Sequence, residues 1–206
     1  MGQRLVVDVK KGESTLAKVY FHWSAYSVSA MYELQKIINI LEGKRIVDEV
    51  FAFDRDEDNK PVVSFRAITV ETRHEEDPRL RLIYGLAEYG GGLEPDDQEY
   101  AKKLWPNLNL PIARSRNEGM VAISEEQMQQ YSGYAEGDAS VDLESRTAEN
   151  GCFWYEEEVD DEQIVIDSPY DFGDISFDQL NEAAKWLENC RESYIRYDDD
   201  CMSIIQ

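Results

Sequence analysis

Cysteine, histidine and positive charge are all scarce in this chain. Its three cysteines, Cys152, Cys190 and Cys201, are too few and too widely spaced for a disulfide scaffold, and none forms a C-x-x-C pair. The two histidines, His22 and His74, stand alone, so a zinc site has little to be built from; no metal and no cofactor is expected. No run of about 18 apolar residues occurs, which leaves no candidate membrane-spanning helix. The opening MGQRLVVDVKKG lacks the apolar core of a signal peptide, and Val6 stands where an N-myristoylation motif requires Ser or Thr. A cytoplasmic setting is the expectation.

What the chain has in abundance is acid. Against 21 Lys and Arg there are 43 Asp and Glu, a net charge of −22 over 206 residues. The excess is uneven: residues 1–50 carry 7 basic and 6 acidic side chains, whereas residues 151–206 carry 3 and 16. A field of that sign repels nucleic acid and anionic membrane and attracts basic partners. The hydrophobic share of 42% is ordinary for a folded chain of this length, which has enough material for one good core.

Hydrophobic periodicity places the elements. In RLVVDVK, Leu5, Val7 and Val9 alternate with Val6 and Asp8, which predicts a strand. Lys11-Gly12 predicts a turn into a second strand over 15–21, and together they make an N-terminal β-hairpin. Met31, Leu34, Ile37, Ile38 and Leu41 then recur at helical spacing up to Gly43, with Ser27 or Ser24 available as N-cap. The charged turn 54–61 leads to a strand over 62–68, and a helix is predicted over 80–89 before Gly90-Gly91-Gly92. That triple glycine lacks the Lys-Ser/Thr of a phosphate loop and follows a helix, so it reads as a helix stop. A short helix over 96–105 ends at Pro106. A strand over 120–123 is followed by Ser124-Glu125-Glu126-Gln127, a capping box in which Ser caps and Gln reaches back. Strands over 139–143, 152–155 and 163–166 and a helix from Ser176 through Phe177, Leu180, Ala184 and Leu187 complete the pattern. Strands and helices mix without regular β-α-β alternation, so the expected class is α+β, a mostly antiparallel sheet with packed helices. The expected organisation is a core domain over 1–148 and an acidic C-terminal extension over 149–206, packed on the core or continuous with it.

Three constellations could carry chemistry. The stretch YFHWSAYS, residues 20–27, gathers His22, Ser24 and Ser27 near Asp8 of the preceding strand, the residue types of a nucleophilic hydrolase. It lacks the turn that exposes such a nucleophile, however, and its alternation puts Tyr20, His22 and Ser24 on one face with Phe21 and Trp23 on the other. That pattern equally describes a corner in which Phe21 and Trp23 fill core while the polar groups pin the backbone, or a small-ligand site. Arg114 and Arg116 are anion-binding candidates through their fork geometry, or internal ion-pair partners. The third is the acidic end: Glu156, Glu157, Glu158, Asp160, Asp161 and Glu162, then Tyr194, Tyr197, Asp198, Asp199 and Asp200. No Asp-x-Asp-x-Asp-Gly loop occurs, so this is not an EF-hand, although dispersed carboxylates could serve a metal-dependent nuclease. Carboxylates spaced with tyrosines can also occupy a basic nucleic-acid channel, standing where phosphates stand, with the rings as anchors.

The opening MGQRLVVDV, the HWSAYS stretch, the RNEGMVAIS segment and the AEGDASVDL segment resemble a family of uncharacterised small proteins of phages and prophages of Gram-positive bacteria, over roughly residues 1–145. The resemblance implies a phage origin and a setting in the host cytoplasm, and it carries no catalytic residues to this chain. With the charge, it leads to an expected role as an anti-defence, anti-CRISPR-like inhibitor of a basic, nucleic-acid-handling host protein, with no direct nucleic-acid or membrane contact. The alternative is a hydrolase or metal-dependent nuclease using His22, Ser24 and Asp8.

Overall fold

A computed structural model describes residues 3–43, 50–55, 61–66, 78–88, 92–106, 119–152 and 168–195. The chain opens with the hairpin β1 (Leu5–Lys11) and β2 (Ser14–Phe21), followed by α1 (Ser27–Leu41). Next come a hairpin of β3 (Val50–Arg55) and β4 (Pro61–Arg66), then α2 (Pro78–Glu88), β5 (Gly92–Leu93) and α3 (Pro95–Leu104). The remaining elements are β6 (Met120–Ala122), α4 (Glu125–Ser132), β7 (Gly137–Asp142), β8 (Thr147–Asn150), β9 (Ile175–Ser176) and α5 (Leu180–Ile195). The fold is α+β, as its sequence pattern predicts.

Among the described residues, seven strands form one sheet in the order β5-β6-β2-β1-β7-β8-β9, while β3 and β4 pair with each other. The β1–β2, β2–β6, β7–β8 and β8–β9 pairings are antiparallel; β1–β7 and β5–β6 are parallel. The parallel step lets β1 sit at the centre of the sheet although it is first in the chain. A parallel neighbour needs a long crossover, and the whole segment between β2 and β7 supplies it.

Period-two alternation divides the sheet into two faces. Leu5, Val7, Val9, Val19, Phe21, Val121 and Val141 point into the main core, which is closed by α1, α2 and α5. Val6, Tyr20 and Ala122 point the other way and are covered by α4 through Tyr131 and Met128. Helix α1 is buried on a wide stripe, including Met31, Leu34, Ile37, Ile38 and Leu41, because it lies over β7 and β8 with α2 and α5 beside it. Gly43 takes φ +67° just past its end, the left-handed position that stops a helix. Residue 148, the expected end of the core domain, lies inside β8, and Phe172, Ile175, Phe177, Leu180, Ala184 and Leu187 belong to the same buried cluster as β1.

Two local expectations are corrected. The N-cap of α1 is Tyr26, without a side-chain cap bond; Ser27 is the first helical residue and is buried, its hydroxyl donating to Cys152 O at 3.1 Å. Ser27 thus ties the helix start to a distant loop. Ser124 does cap α4, accepting from Gln127 N at 3.3 Å, but Gln127 does not reach back. The Asp97 carboxylate receives the Ser124 N–H instead, at 3.1 Å.

Candidate functional site

Three segments meet at one end of the sheet: the start of the chain, the corner after β2 and the start of β7. Gln3 accepts the Ala25 N–H at 3.0 Å through its backbone carbonyl, and its side-chain amide bonds the Tyr26 hydroxyl. Arg4 accepts the Glu136 and Gly137 N–H groups at 2.9 and 3.1 Å on its carbonyl. In return the Glu136 carboxylate takes the Arg4 backbone N–H at 2.9 Å and a guanidinium N–H at 2.8 Å. Those bonds, to the Arg4 backbone first and then its side chain, hold the Glu136 carboxyl below its ordinary range. A Cβ at Gly137 would stand 3.0 Å from Cys152 Sγ and 3.1 Å from Ala25 Cβ, so a larger residue would push these segments apart by a few tenths of an ångström. The start of the chain, the corner after β2 and the start of β7 are therefore one interlocked unit.

Beside this corner, on the α4 side of the sheet, is a hollow of about 390 Å³. Strand β2 delivers Tyr20 to it, and the residue two places on, His22, lies on the same side; the Tyr20 hydroxyl and His22 Nδ1 are 2.7 Å apart. The C-terminal end of α4 delivers Tyr131 and, one turn on, Tyr134. The three tyrosine rings touch pairwise, with centroids 5.8 Å (Tyr20–Tyr131), 6.1 Å (Tyr20–Tyr134) and 6.3 Å (Tyr131–Tyr134) apart. Arg4, Glu94, Met120, Gln127 and Gln130 complete the lining. Burial, then the negative charges of Glu94 and Asp97, push the Tyr131 phenol well up; burial does the same for Tyr20.

The sequence-predicted catalytic set is not assembled. Asp8 faces Lys18 across the hairpin and makes an ion pair with it. Val6 is opposite Tyr20 and Asp8 is opposite Lys18, so Asp8 lies four register positions from His22, roughly 13 Å along the strand at about 3.3 Å per residue. Ser24 has turned away from the strand direction, and its hydroxyl donates to Glu33 at 3.2 Å. The strand ends at Phe21, so alternation does not extend to Trp23: Phe21 is buried, but Trp23 is 49% exposed and stands edge-on to His22. Placing Trp23 in the core is therefore wrong.

Arg114, Arg116, Glu156, Glu157, Glu158, Asp160, Asp161, Glu162, Tyr197, Asp198, Asp199 and Asp200 lie outside the described residues, and Tyr194 is described only as a backbone position in α5. Among the described residues no cluster of His, Cys, Asp or Glu could hold a metal ion, and no helix is long and apolar enough to cross a membrane. Sequence reasoning missed Tyr131 and Tyr134, although their i, i+3 spacing at the end of a capped helix was a usable signal. It also missed Glu136 and Asp97, whose partners lie far away in the chain. Comparison with family models, curated proteins and solved structures returns no significant match.

Proposed function

We propose that this chain is a binding protein that engages a basic partner protein through its acidic surface. In its fuller form, the reading is a phage-encoded inhibitor of a bacterial defence system, acting in the infected cell on a nucleic-acid-handling protein such as a CRISPR effector. The observation that carries it is the charge: −22 overall, with 16 acidic and 3 basic side chains in residues 151–206. Carboxylates spaced with tyrosines there would meet lysines and arginines that otherwise meet phosphates. Further support comes from the corner after β2, where Lys18 holds Asp8 and Glu33 holds Ser24. A His22 hydrolase is left with neither its expected nucleophile nor its expected orienting carboxylate.

The test is affinity capture from a defence-bearing bacterial host at about 0.05 M and about 0.5 M salt, where screening lengths fall from above 10 Å to below 5 Å. A basic protein retained at low salt and released at high salt is expected. Replacing Glu156, Glu157 and Glu158 by Gln and Asp160 and Asp161 by Asn should slow association at least ~tenfold. Capture that is indifferent to both salt and these substitutions would sink the reading.

A further inference from the structure

Asn150-Gly151 is the one Asn-Gly pair in the chain. Asparagine is a chemically labile residue, and a following glycine exposes it most, because no Cβ keeps the next backbone nitrogen away from the side chain. In the reaction the Gly151 nitrogen bonds to Asn150 Cγ and the Cγ–Nδ2 bond breaks. The amide leaves as ammonia, carrying the Gly151 proton, and water opens the resulting succinimide to aspartate or isoaspartate. The only co-reactant is water.

The fold occupies every group this reaction needs. The Gly151 N–H donates to Asp138 O of β7 at 3.0 Å, so the attacking nitrogen is tied to the sheet. Asn150 Nδ2, the leaving amide, donates to Ser27 O at the start of α1 at 3.0 Å, while Oδ1 accepts the Cys152 N–H at 3.2 Å. The Asn150 N–H donates to Phe172 O at 2.8 Å, and the Ser27 hydroxyl closes the clamp on Cys152 O at 3.1 Å. Asn150 is buried. The same packing calls for this labile pair. A Cβ at Gly151 would stand 3.0 Å from Asp138 O, and a carboxylate at position 150 could not donate to Ser27 O.

We propose that Asn150-Gly151 is a self-modification site held latent by the fold, a one-way latch where α1 meets the end of β8. It reacts when this joint opens. The aspartate product sets a carboxylate against Ser27 O, two buried acceptors with no proton between them. The isoaspartate product adds a backbone atom and shifts Gly151 out of register with Asp138. A chain that has reacted cannot restore the joint, so local opening becomes irreversible. The latch stands independently of the acidic-surface reading.

The experiment incubates the full chain at mildly alkaline pH, native and in denaturing urea, and follows conversion of amide to acid in the peptide spanning Asn150 by mass. The native chain should react at least ~tenfold more slowly, as a joint that opens only locally and rarely predicts. The same ratio should emerge independently from hydrogen exchange of the Gly151 N–H. Ser27→Ala keeps the backbone acceptor and loses the hydroxyl clamp. It should raise the native rate roughly fivefold, the gain in opening that one lost buried hydrogen bond allows, and leave the rate in urea unchanged. Asn150→Gln in urea, with a larger ring to close, should slow the conversion and so assign the product to this position. Chain modified in urea and then refolded should melt below the parent, as should Asn150→Asp. Equal native and unfolded rates, a Ser27→Ala rate no higher than the parent's, or modified chain that refolds with the parent's melting temperature would each overturn the proposal.

Discussion

Asp97 is fully buried, and its carboxylate takes the backbone N–H groups of Ile123 and Ser124 at 3.3 and 3.1 Å. It thereby stitches the first turn of α3 to the junction of β6 and α4. Burial raises its pKa above the ordinary 3.8, against the opposing effect of those bonds. Asp97→Ala leaves two buried donors unpaired and should cost about 2–3 kcal/mol, while Asp97→Asn keeps an acceptor and should cost less. The protonated form adds stability that is fully present below 3.8 and is lost as pH rises through the elevated folded value. Urea unfolding of the parent and Asp97→Asn should therefore show the parent gaining on the variant as pH falls from 7 towards 4. Cys152 makes a second residue-scale prediction. Burial, with a smaller push from Asp138, drives its thiol up to about 12. The thiolate is then on the order of one part in ten thousand at pH 8, so iodoacetamide should spare Cys152 in the native protein and label it in denaturant, read by peptide mass.

At the scale of elements, helical periodicity in the sequence located α1 to within a residue or two, because a 3.6-residue repeat is a local property of the chain. It did not single out Ile40, which lies off the main stripe and is nevertheless fully buried. The reason is α2: a Cβ at Gly85 would stand 3.0 Å from Ile40 Cδ1 and closer still to its other carbons, so the two helices meet backbone to side chain. Gly85→Ala improves helix propensity by about 1 kcal/mol but overpacks this contact, for a net loss of about 1–2 kcal/mol. In an Ile40→Ala background, which removes all three of those carbons, the same change should cost about 1 kcal/mol less, a coupling that a double-mutant cycle of unfolding free energies measures. Strand β8 carries no periodic signature over Thr147–Asn150 and was invisible to pattern reasoning; β7 on one side and β9 on the other make it a strand.

For the whole molecule, the charge has two consequences of opposite sign. Self-repulsion among −22 charges strains the compact state, so the melting temperature should rise between about 0.05 M and 0.5 M salt as repulsion is screened. Binding of a basic partner should weaken over the same range. A melting temperature that falls with salt would mean that the described ion pairs, such as Arg4–Glu136 and Arg146–Glu42, outweigh the net repulsion. The site was less legible than the fold. Tyr20 and His22 were placed together by their spacing of two, which holds as far as the strand does. Joining them to Ser24 and Asp8 failed, because the strand stops at Phe21 and because neighbouring strands set Asp8 opposite Lys18.

The sequence by itself determined the α+β class, the N-terminal hairpin, the amphipathic helices and the acidity, since each depends on near-neighbour pattern or on composition. Tertiary structure decided the central place of β1, the exposure of Trp23, the burial of Asp97 and the convergence of Tyr20, Tyr131 and Tyr134 on one hollow. Those properties depend on which distant segment packs against which. A local repeat states that a face must be covered; only the folded chain supplies what covers it.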